Sequence, residues 1–164
     1  MPHDMKKSFK LMVLVLAAMG MYSCNDEYQS TPMISVSKAI IVSHQDGSRD
    51  TTYFGDTIHV GDTARVDMCI MGVSHPLKTA RATAEPTALA CGFECDSLII
   101  KDYLEEDSKP EEGYLHFQPY TMYVWVTFRY IGKSAGTYPI KVEEESMAKE
   151  PYSHNEQSFY QIIR

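Results

Sequence analysis

The chain has 164 residues, of which 44% are hydrophobic and 23% are charged. This length is typical of one domain and the hydrophobic share is enough for one buried core, so collagen-like, coiled-coil and wholly disordered classes are excluded. The formal net charge of -7 excludes a general nucleic-acid binder, because such a protein needs a basic surface to contact phosphates.

The N-terminal segment has the pattern of a secretory signal. Three lysines within residues 6–10 precede an apolar run over residues 11–21, which is too short to span a membrane because a spanning helix needs about 20 residues. The run leads into Ser23-Cys24, which resembles the lipobox of bacterial lipoproteins, where the cysteine is acylated and becomes the first mature residue. The resemblance implies a signal peptide over residues 1–23 and a lipid on Cys24.

The alternative is an ordinary secretory signal with Cys24 close to the cut, although the residues after Cys24 offer no small-x-small cleavage site. Acyl chains would hold the mature chain on a membrane with no protein segment crossing it. Residues 24–32 are a polar tether in either case. Within them, Asn25-Asp26-Glu27 resembles the acidic export tag of surface lipoproteins in some Gram-negative bacteria, which implies the outer face of the outer membrane, with the periplasmic face as the alternative.

The mature chain, with 141 residues and a formal charge of -9, begins with short extended runs separated by turn residues. A first strand is predicted over residues 34–42, followed by a hairpin turn at Asp46-Gly47 and a second extended run over residues 51–54. Gly55-Asp56-Thr57 and Gly61-Asp62-Thr63 are predicted turns on either side of a short edge strand, rather than a ligand-binding loop.

The middle of the chain contains the clearest two-residue alternation. In one segment the apolar residues share one face and the polar residues Arg65 and Asp67 share the other, which predicts a half-buried strand with the inward set Ala64, Val66, Met68 and Ile70. Residues 77–84 and 97–100 are further predicted strands, separated by Cys91-Gly92-Phe93-Glu94-Cys95. Residues 105–113 form a predicted acidic loop, and residues 122–130 carry apolar groups on both faces, as a central strand does.

The last part of the chain continues the same pattern. A turn over residues 132–136 precedes a predicted strand through Tyr138 and Val142, in which Pro139 requires an edge position or a site where no donor is needed. A final strand is predicted over residues 158–163. Mature segments longer than about ten residues lack the 3.6-residue apolar repeat of a helix, so we expect little helix.

These runs predict a single antiparallel β-sandwich over residues 33–164, with about seven to nine strands, and a small β-barrel is the alternative. Val60-Gly61-Asp62-Thr63 and residues 136–142 resemble pieces of bacterial immunoglobulin-like domains, in which a Val-Gly-Asp-Thr turn opens an early core strand and a Gly-Thr-Tyr strand is the penultimate one. The resemblance implies an immunoglobulin-like topology. The Cys–Trp–Cys framework of antibody domains is missing, because Trp125 comes too late to lie on the third strand.

Three cysteines remain if Cys24 is acylated, and three cannot all pair. Gly92 would let the chain close a small loop between Cys91 and Cys95, so a bridge between these two is the first candidate disulfide. A bridge from Cys69 to either of them and a fully reduced state are the alternatives, since sequence does not reveal connectivity. A Cys-x3-Cys pair without neighbouring histidines is a poor zinc site, and we expect no metal and no cofactor.

The sequence contains no recognisable catalytic motif. The five mature histidines are scattered over separate predicted strands and loops, so we expect exposed surface positions for them. The segment Asp46–Asp50 fits a hairpin turn better than a calcium loop, because it contains Arg49 and lacks the bidentate glutamate. The carboxylates at 105–112 and 143–145 are expected to be solvated, which makes an envelope hydrolase the weaker hypothesis.

Tyr123 and Trp125 are the candidate binding aromatics, because they alternate onto one face of the predicted strand at 122–130. Aromatic rings stack on sugars and anchor protein interfaces, although they also fill sandwich cores. The sequence therefore predicts a non-enzymatic, membrane-anchored lipoprotein whose immunoglobulin-like module serves in binding or envelope structure. The alternative is an accessory subunit of a glycan-uptake or adhesion assembly, and the identity of a protein or glycan partner stays open.

Overall fold

The computed structural model of the chain describes residues 28–95 and 102–164. Two β-sheets pack face to face, so the predicted β-sandwich is confirmed, and within these ranges the helical segments are two short 3-10 turns. The described strands number eleven, more than the seven to nine expected: β1 (Met33–Val36), β2 (Ala39–Ser43), β3 (Arg49–Tyr53), β4 (Thr57–Ile58), β5 (Thr63–Met71), β6 (Leu77–Ala84), β7 (Leu89–Glu94), β8 (Tyr114–His116), β9 (Tyr123–Gly132), β10 (Gly136–Ser146) and β11 (His154–Ile163).

Several predictions fall on residues that the structure does not describe. The signal peptide over residues 1–23, the lipid-bearing Cys24 and the strand predicted at 97–100 all lie outside the described ranges. Within those ranges, no helix has the length and apolar character needed to cross a membrane. The predicted acidic loop contains the two 3-10 turns, η1 (Glu105–Asp107) and η2 (Pro110–Glu112).

The strand order has an immunoglobulin-like core. The six-stranded sheet has the order β3-β2-β5-β9-β7, with β1 also paired to β5, and the five-stranded sheet has the order β4-β11-β10-β6-β8. Seven of these strands have the constant-type immunoglobulin arrangement. One sheet contains β2-β5-β9-β7, which correspond to strands A-B-E-D, and the other contains β11-β10-β6, which correspond to strands G-F-C. The other four strands extend these sheets, and only the short β4 pairs in parallel, with β11, among the described pairings.

The core lies between the sheets and is built by the alternation of β5 and β9. The predicted inward set of β5 is buried, and its partners on β9 come from the alternate positions Val124, Val126, Phe128 and Tyr130, all nearly inaccessible to solvent. Phe93 of β7 packs on Phe128 with the ring centroids 6.0 Å apart in an edge-to-face arrangement. Strand β9 pairs with β5 on one side and β7 on the other, which confirms its predicted central position.

Two predicted segments differ from the structure. The single strand expected over residues 34–42 is two strands, because the chain leaves the extended path at Ser37, whose N–H donates to the carbonyl of Asp67, before pairing with β5 again as β2. The loop expected at Cys91–Cys95 is instead the strand β7 up to Glu94. Its small residues hide the alternation, and Gly92 is needed because a Cβ there would lie 2.7 Å from the carbonyl oxygen of Pro110.

Pro139 lies at a point of strand β10 where only one neighbouring strand is paired with it. Strand β10 is central in its sheet, so an edge position for Pro139 is wrong. However, β6 begins to pair with β10 only at Ile140, and at Pro139 the register gives a partner on β11 alone, Tyr160. Pro139 therefore meets the second condition predicted from the sequence, because no strand on the β6 side requires a hydrogen-bond donor from it.

Two tyrosines fasten the end of the sandwich where β9 leads into β10. The hydroxyl of Tyr138 donates to the carbonyl of Ala135 at 2.8 Å, the backbone tie that immunoglobulin-like sandwiches make at this corner. The hydroxyl of Tyr130 donates to Oε1 of Gln161 at 2.7 Å and so joins β9 to β11 across the two sheets. The amide of Gln161 donates in turn to the carbonyl of Asp56, and burial raises the pKa of the Tyr130 phenol, which keeps it a donor.

We expect Tyr130→Phe to lower the free energy of unfolding by about 1–3 kcal/mol, because it leaves the buried Gln161 carbonyl without its donor. Urea unfolding followed by fluorescence measures this change. The control is Tyr160→Phe on the exposed face of β11, which should change stability by less than about 0.5 kcal/mol. Equal unfolding midpoints for the two variants would show that the bond between the sheets contributes nothing.

Candidate functional site

The N-terminal residues of the described chain are fastened to the body at one end of the sandwich. The backbone N–H of Ser30 donates to the hydroxyl of Ser74 at 2.8 Å, in the loop between β5 and β6. The side-chain carbonyl of Gln29 accepts from the N–H of Lys149 at 2.9 Å, in the loop between β10 and β11. The polar tether expected to extend to residue 32 is therefore fixed to the body from residue 29 onward, and the chain enters β1 from this end.

Beside this entry point lies an exposed apolar surface on the outside of the six-stranded sheet. The register places Met33 of β1, Met71 of β5 and Tyr123 of β9 in one row across the three strands. Trp125 follows Tyr123 two residues later on the same face. We call these four residues the aromatic face. Tyr123 is 62% exposed, Trp125 58% and Met33 47%, whereas the alternate residues of β9 are buried.

On β5 and β9 the middle of this outer surface is polar and paired, whereas Ile41 of β2 and Tyr53 of β3 are exposed, at 48% and 58%. The guanidinium of Arg65 makes hydrogen bonds of 3.0 and 3.1 Å to the carboxylate of Glu94, and Arg129 lies 3.7 Å from the same group. The hydroxyl of Thr127 donates to Asp67 at 2.9 Å. These polar pairs therefore border the aromatic face on β5 and β9.

Cys69 lies in the same row as Trp125 of the aromatic face and is buried. Its register neighbours are Ser35 on β1 and Trp125 on β9, and only 5% of the residue is exposed. Burial raises the pKa of the Cys69 thiol, and the charge of Glu144 raises it further. The thiol is therefore protonated at neutral pH and is a weak nucleophile.

The candidate disulfide partners Cys91 and Cys95 are separated by extended chain. Cys91 lies within β7, where its thiol donates to the carbonyl of Ala82 at 3.7 Å and burial raises its pKa. Cys95 follows directly after the strand. Residues four apart in a strand have Cα atoms about 13 Å apart, while a disulfide needs less than about 7 Å. The bridge stays a prediction, and it would require the end of β7 to rearrange.

The outer surface of the five-stranded sheet contains a groove, and three carboxylates in or beside it, those of Glu143, Glu145 and Glu156, are engaged in ion pairs. Glu145 accepts from the ammonium of Lys78 at 3.0 Å. Lys141 lies between two others, with its Nζ 2.6 Å from Glu143 and 2.8 Å from Glu156. These contacts raise the pKa of Lys141 to about 12 and lower that of Glu156. A general acid needs a raised carboxyl pKa, so this arrangement stabilises ion pairs and does not prepare acid catalysis.

Two histidines that are far apart in the sequence meet at the other end of the six-stranded sheet. His44 follows β2 and His59 follows β4, and their ring centroids are 6.4 Å apart. His44 donates through Nδ1 to Asp62 at 2.9 Å and through Nε2 to Asp50 at 3.1 Å. Since both partners are carboxylates and accept only, His44 carries both ring protons in this arrangement. The bonds to Asp50 and Asp62 raise the pKa of the His44 imidazole.

Asp62 is the buried member of this group. The predicted turn at Gly61-Asp62-Thr63 is present, with Gly61 at a φ of 90°. In this turn the Asp62 carboxylate accepts from the backbone N–H of His59 at 2.9 Å and lies 3.6 Å from Nδ1 of His59. Sequence reasoning missed the group because His44 follows a different strand from the turn that holds His59 and Asp62. The repeated Gly-Asp-Thr tripeptide and the histidine beside each turn were the available signals.

One further carboxylate is buried between the sheets. Glu144 of β10 is 1% exposed, and its register neighbours are Ala80 on β6 and Asn155 on β11. Neither carboxylate oxygen has a hydrogen-bond partner of normal geometry among the described residues. Burial raises the carboxyl pKa to about 8, and the nearby Asn155 side chain offsets this only in part. The expectation that residues 143–145 are all solvated is therefore wrong for Glu144.

Comparisons with known proteins give a similarity in structure but none in sequence. No protein-family model matches the sequence, and no curated protein matches it by sequence. The structure is similar to the crystal structure of BslA, a bacterial hydrophobin, with a TM-score of 0.39 and 10% sequence identity over 84% of this chain and 98% of that chain.

We expect the stability of the protein to fall as the pH rises from about 4.5 to about 8. The unfolded chain ionises Glu144 near its ordinary pKa of 4.5, whereas the folded chain resists ionisation up to about 8. Stability from the protonated group is therefore complete below pH 4.5 and is lost through this window. Glu144→Gln should raise the free energy of unfolding by about 2–3 kcal/mol at pH 7 and by little at pH 4.

Urea unfolding at a series of pH values between 4 and 9 tests this prediction. Glu106→Gln, in the exposed turn η1, is the matched control because it removes the same charge from a solvated position. The groups nearest Glu144 in the register are uncharged, and Cys69 is the titratable group coupled to it. The prediction is contradicted if Glu144→Gln and Glu106→Gln give parallel pH profiles.

Proposed function

We propose that the protein is a non-enzymatic lipoprotein of the cell envelope that binds a protein partner through the aromatic face. The observation that carries this proposal is the exposure of Met33, Tyr123 and Trp125 together at one end of the outer surface of the six-stranded sheet. These side chains are exposed to water although the sandwich has an apolar core. Clustered exposed apolar groups on a monomer mark interaction sites.

The composition of the aromatic face favours a protein partner. Tyrosine, tryptophan and methionine are the residue types enriched in protein interfaces, and methionine adapts its shape to an irregular partner. Trp125 and Tyr123 supply large rigid rings at a small entropic cost. The Arg65–Glu94 pair and the Thr127–Asp67 bond provide a polar margin on one side of the face. The aromatic face therefore has an apolar centre with a polar edge on one side, as protein interfaces do.

The position of the aromatic face also suits a tethered protein. If Cys24 carries the lipid, the free tether extends from residue 24 to residue 28, because Gln29 and Ser30 are bonded to the body. Five extended residues span at most about 18 Å. The aromatic face would then lie close to the membrane, where it would meet a neighbouring envelope protein more readily than a distant one. We place the protein on the outer membrane, with the cell surface favoured over the periplasmic face.

An accessory role in a glycan-uptake or adhesion assembly is the alternative, and it differs in the partner rather than in the binding surface. A glycan-binding site would add polar side chains beside the rings to bond sugar hydroxyls, whereas Met71 and Met33 continue the row of Tyr123 here. The envelope hydrolase has less support, because the groove carboxylates Glu143, Glu145 and Glu156 are paired with lysines.

We expect Trp125→Ala to reduce crosslinking of the protein to its envelope partner at least tenfold in intact cells, since truncation of a central aromatic typically costs 2 kcal/mol or more of binding energy. The measurement uses a photoreactive group at position 123 and mass spectrometry of the products. The control is Tyr160→Ala, which removes an equally exposed ring from the opposite sheet. Products unaffected by Trp125→Ala, or a glycan as the only captured molecule, would refute the protein-partner proposal.

We expect Cys24→Ala to release the protein from the membrane fraction into the soluble fraction, because the acyl chains on this residue are the proposed anchor. Fractionation of cells with immunoblotting measures the change. Cys69→Ala is the matched control, since it removes a thiol that is buried in the body. Retention of Cys24→Ala in the membrane fraction would contradict the lipid assignment without affecting the proposal for the aromatic face.

A further inference from the structure

The strongest unassigned feature outside the aromatic face is the cluster formed by His44, His59, Asp62 and Asp50. One ligand atom from each of His44, His59 and Asp62 lies within 4.8 Å of the other two. The cluster lies just before the start of β5, whereas the aromatic face lies at its end. Met71 lies nine residues after Asp62 along the strand, which corresponds to about 30 Å. The cluster is therefore a separate site with its own chemistry.

We propose that His44, His59 and Asp62 form a binding site for one divalent transition-metal ion of the zinc class, with water completing the coordination.

The distances in the cluster fit this ion. Zinc binds imidazole nitrogen and carboxylate oxygen at about 2.0–2.2 Å, so the ligand atoms of a tetrahedral site are about 3.3 Å apart. The carboxylate oxygen of Asp62 is 2.9 Å from Nδ1 of His44 and 3.6 Å from Nδ1 of His59. The third pair, the ring nitrogens of His44 and His59, lies within 4.8 Å, so side-chain rotation of the exposed His59 would have to bring them to the tetrahedral spacing.

The second ring nitrogen of His44 has the partner that metal-binding histidines normally have. Nε2 of His44 donates to the carboxylate of Asp50 at 3.1 Å. This leaves Nδ1 as the coordinating atom and fixes the orientation of the ring, as outer carboxylates do in many zinc sites. In the present structure Nδ1 carries a proton that is shared with Asp62, and the metal ion would take the place of that proton.

The site is also well supported and accessible. The Asp62 side chain is 4% exposed and is held in its turn by the N–H of His59, so the carboxylate is positioned before an ion arrives. The His59 ring is 70% exposed, which gives the ion a path from solvent. Two imidazoles with one carboxylate favour zinc, nickel or copper over magnesium and calcium, which prefer all-oxygen ligand sets.

In a second histidine–carboxylate cluster of the described structure, a lysine already contacts the carboxylates. Glu143, His154 and Glu156 also bring three ligand atoms within 4.8 Å of one another. However, the ammonium of Lys141 lies 2.6 Å from Glu143 and 2.8 Å from Glu156 and is already paired with both carboxylates. A metal ion there would have to displace a bonded lysine. This cluster therefore serves as the internal control for the first.

The test is a zinc titration of the full-length protein, purified in detergent and treated with a chelator, against a fluorescent zinc indicator. We expect one zinc ion per chain with a dissociation constant in the micromolar range or below, and no displacement by millimolar magnesium. His59→Ala should weaken zinc binding at least tenfold with little change in folding, because the ring is largely exposed. Asp50→Asn should weaken it by about tenfold, as loss of an outer carboxylate does.

The matched control is His154→Ala, which should leave the zinc affinity unchanged. Substitution with cobalt gives a second readout, because the visible absorption of the bound ion reports four- or five-fold coordination by nitrogen and oxygen and should disappear in His59→Ala. The proposal is overturned if the protein takes up no zinc at 1 mM, if His59→Ala binds zinc as the parent protein does, or if His154→Ala is the variant that loses binding.

Discussion

The pairing of β5 with β9 is the constraint on which the rest of the structure depends. Nine residues of β5 pair in register from Thr63 to Met71, and the two-residue period of a strand then fixes which side chains face inward. One face supplies the core and the other supplies the outer surface of the six-stranded sheet. A shift of one residue would bury Trp125 and Arg129 and expose Phe128, so core burial also determines which aromatics are exposed.

The same strand pair connects the two candidate sites. The end of β5 at Met71 lies next to the point where Gln29 and Ser30 fasten the incoming chain, and the aromatic face lies there. The start of β5 follows the Gly61-Asp62 turn, which delivers a buried carboxylate to His44 and His59. A stiff strand thus separates a surface close to the proposed anchor from a polar cluster at the far end. The two sites can therefore be changed independently.

Glu144 is the part of the structure that opposes its stability. Its neighbours in the interior are apolar or uncharged, and its two oxygens have no hydrogen-bond partner of normal geometry among the described residues. Burial keeps the group protonated well above the ordinary carboxyl range, which costs stability at neutral pH. The Tyr130–Gln161 pair shows the contrasting case, in which the buried polar groups of the two sheets satisfy each other. Strand β10 therefore carries apolar core side chains together with a buried carboxyl group whose ionised form the core disfavours.

The sequence by itself determined the class of fold and the faces of the long strands. The alternation in β5 and β9, the hairpin at Asp46-Gly47 and the low helix content follow from local patterns with a two-residue period, and each is present. The strand β7 was missed because Ala90, Cys91 and Gly92 are too small to display that period. The break at Ser37 was missed because a backbone bond to Asp67 on another strand causes it.

Only the tertiary structure decided which distant residues meet. His59 and Asp62 share one turn, but His44 follows β2, and its contact with them depends on how β2, β4 and β5 are placed across two sheets. The exposure of Tyr123 and Trp125 depended in the same way on whether another element covered that face. Local patterns specify which side of a strand is apolar, but the contacts between strands decide what each side touches.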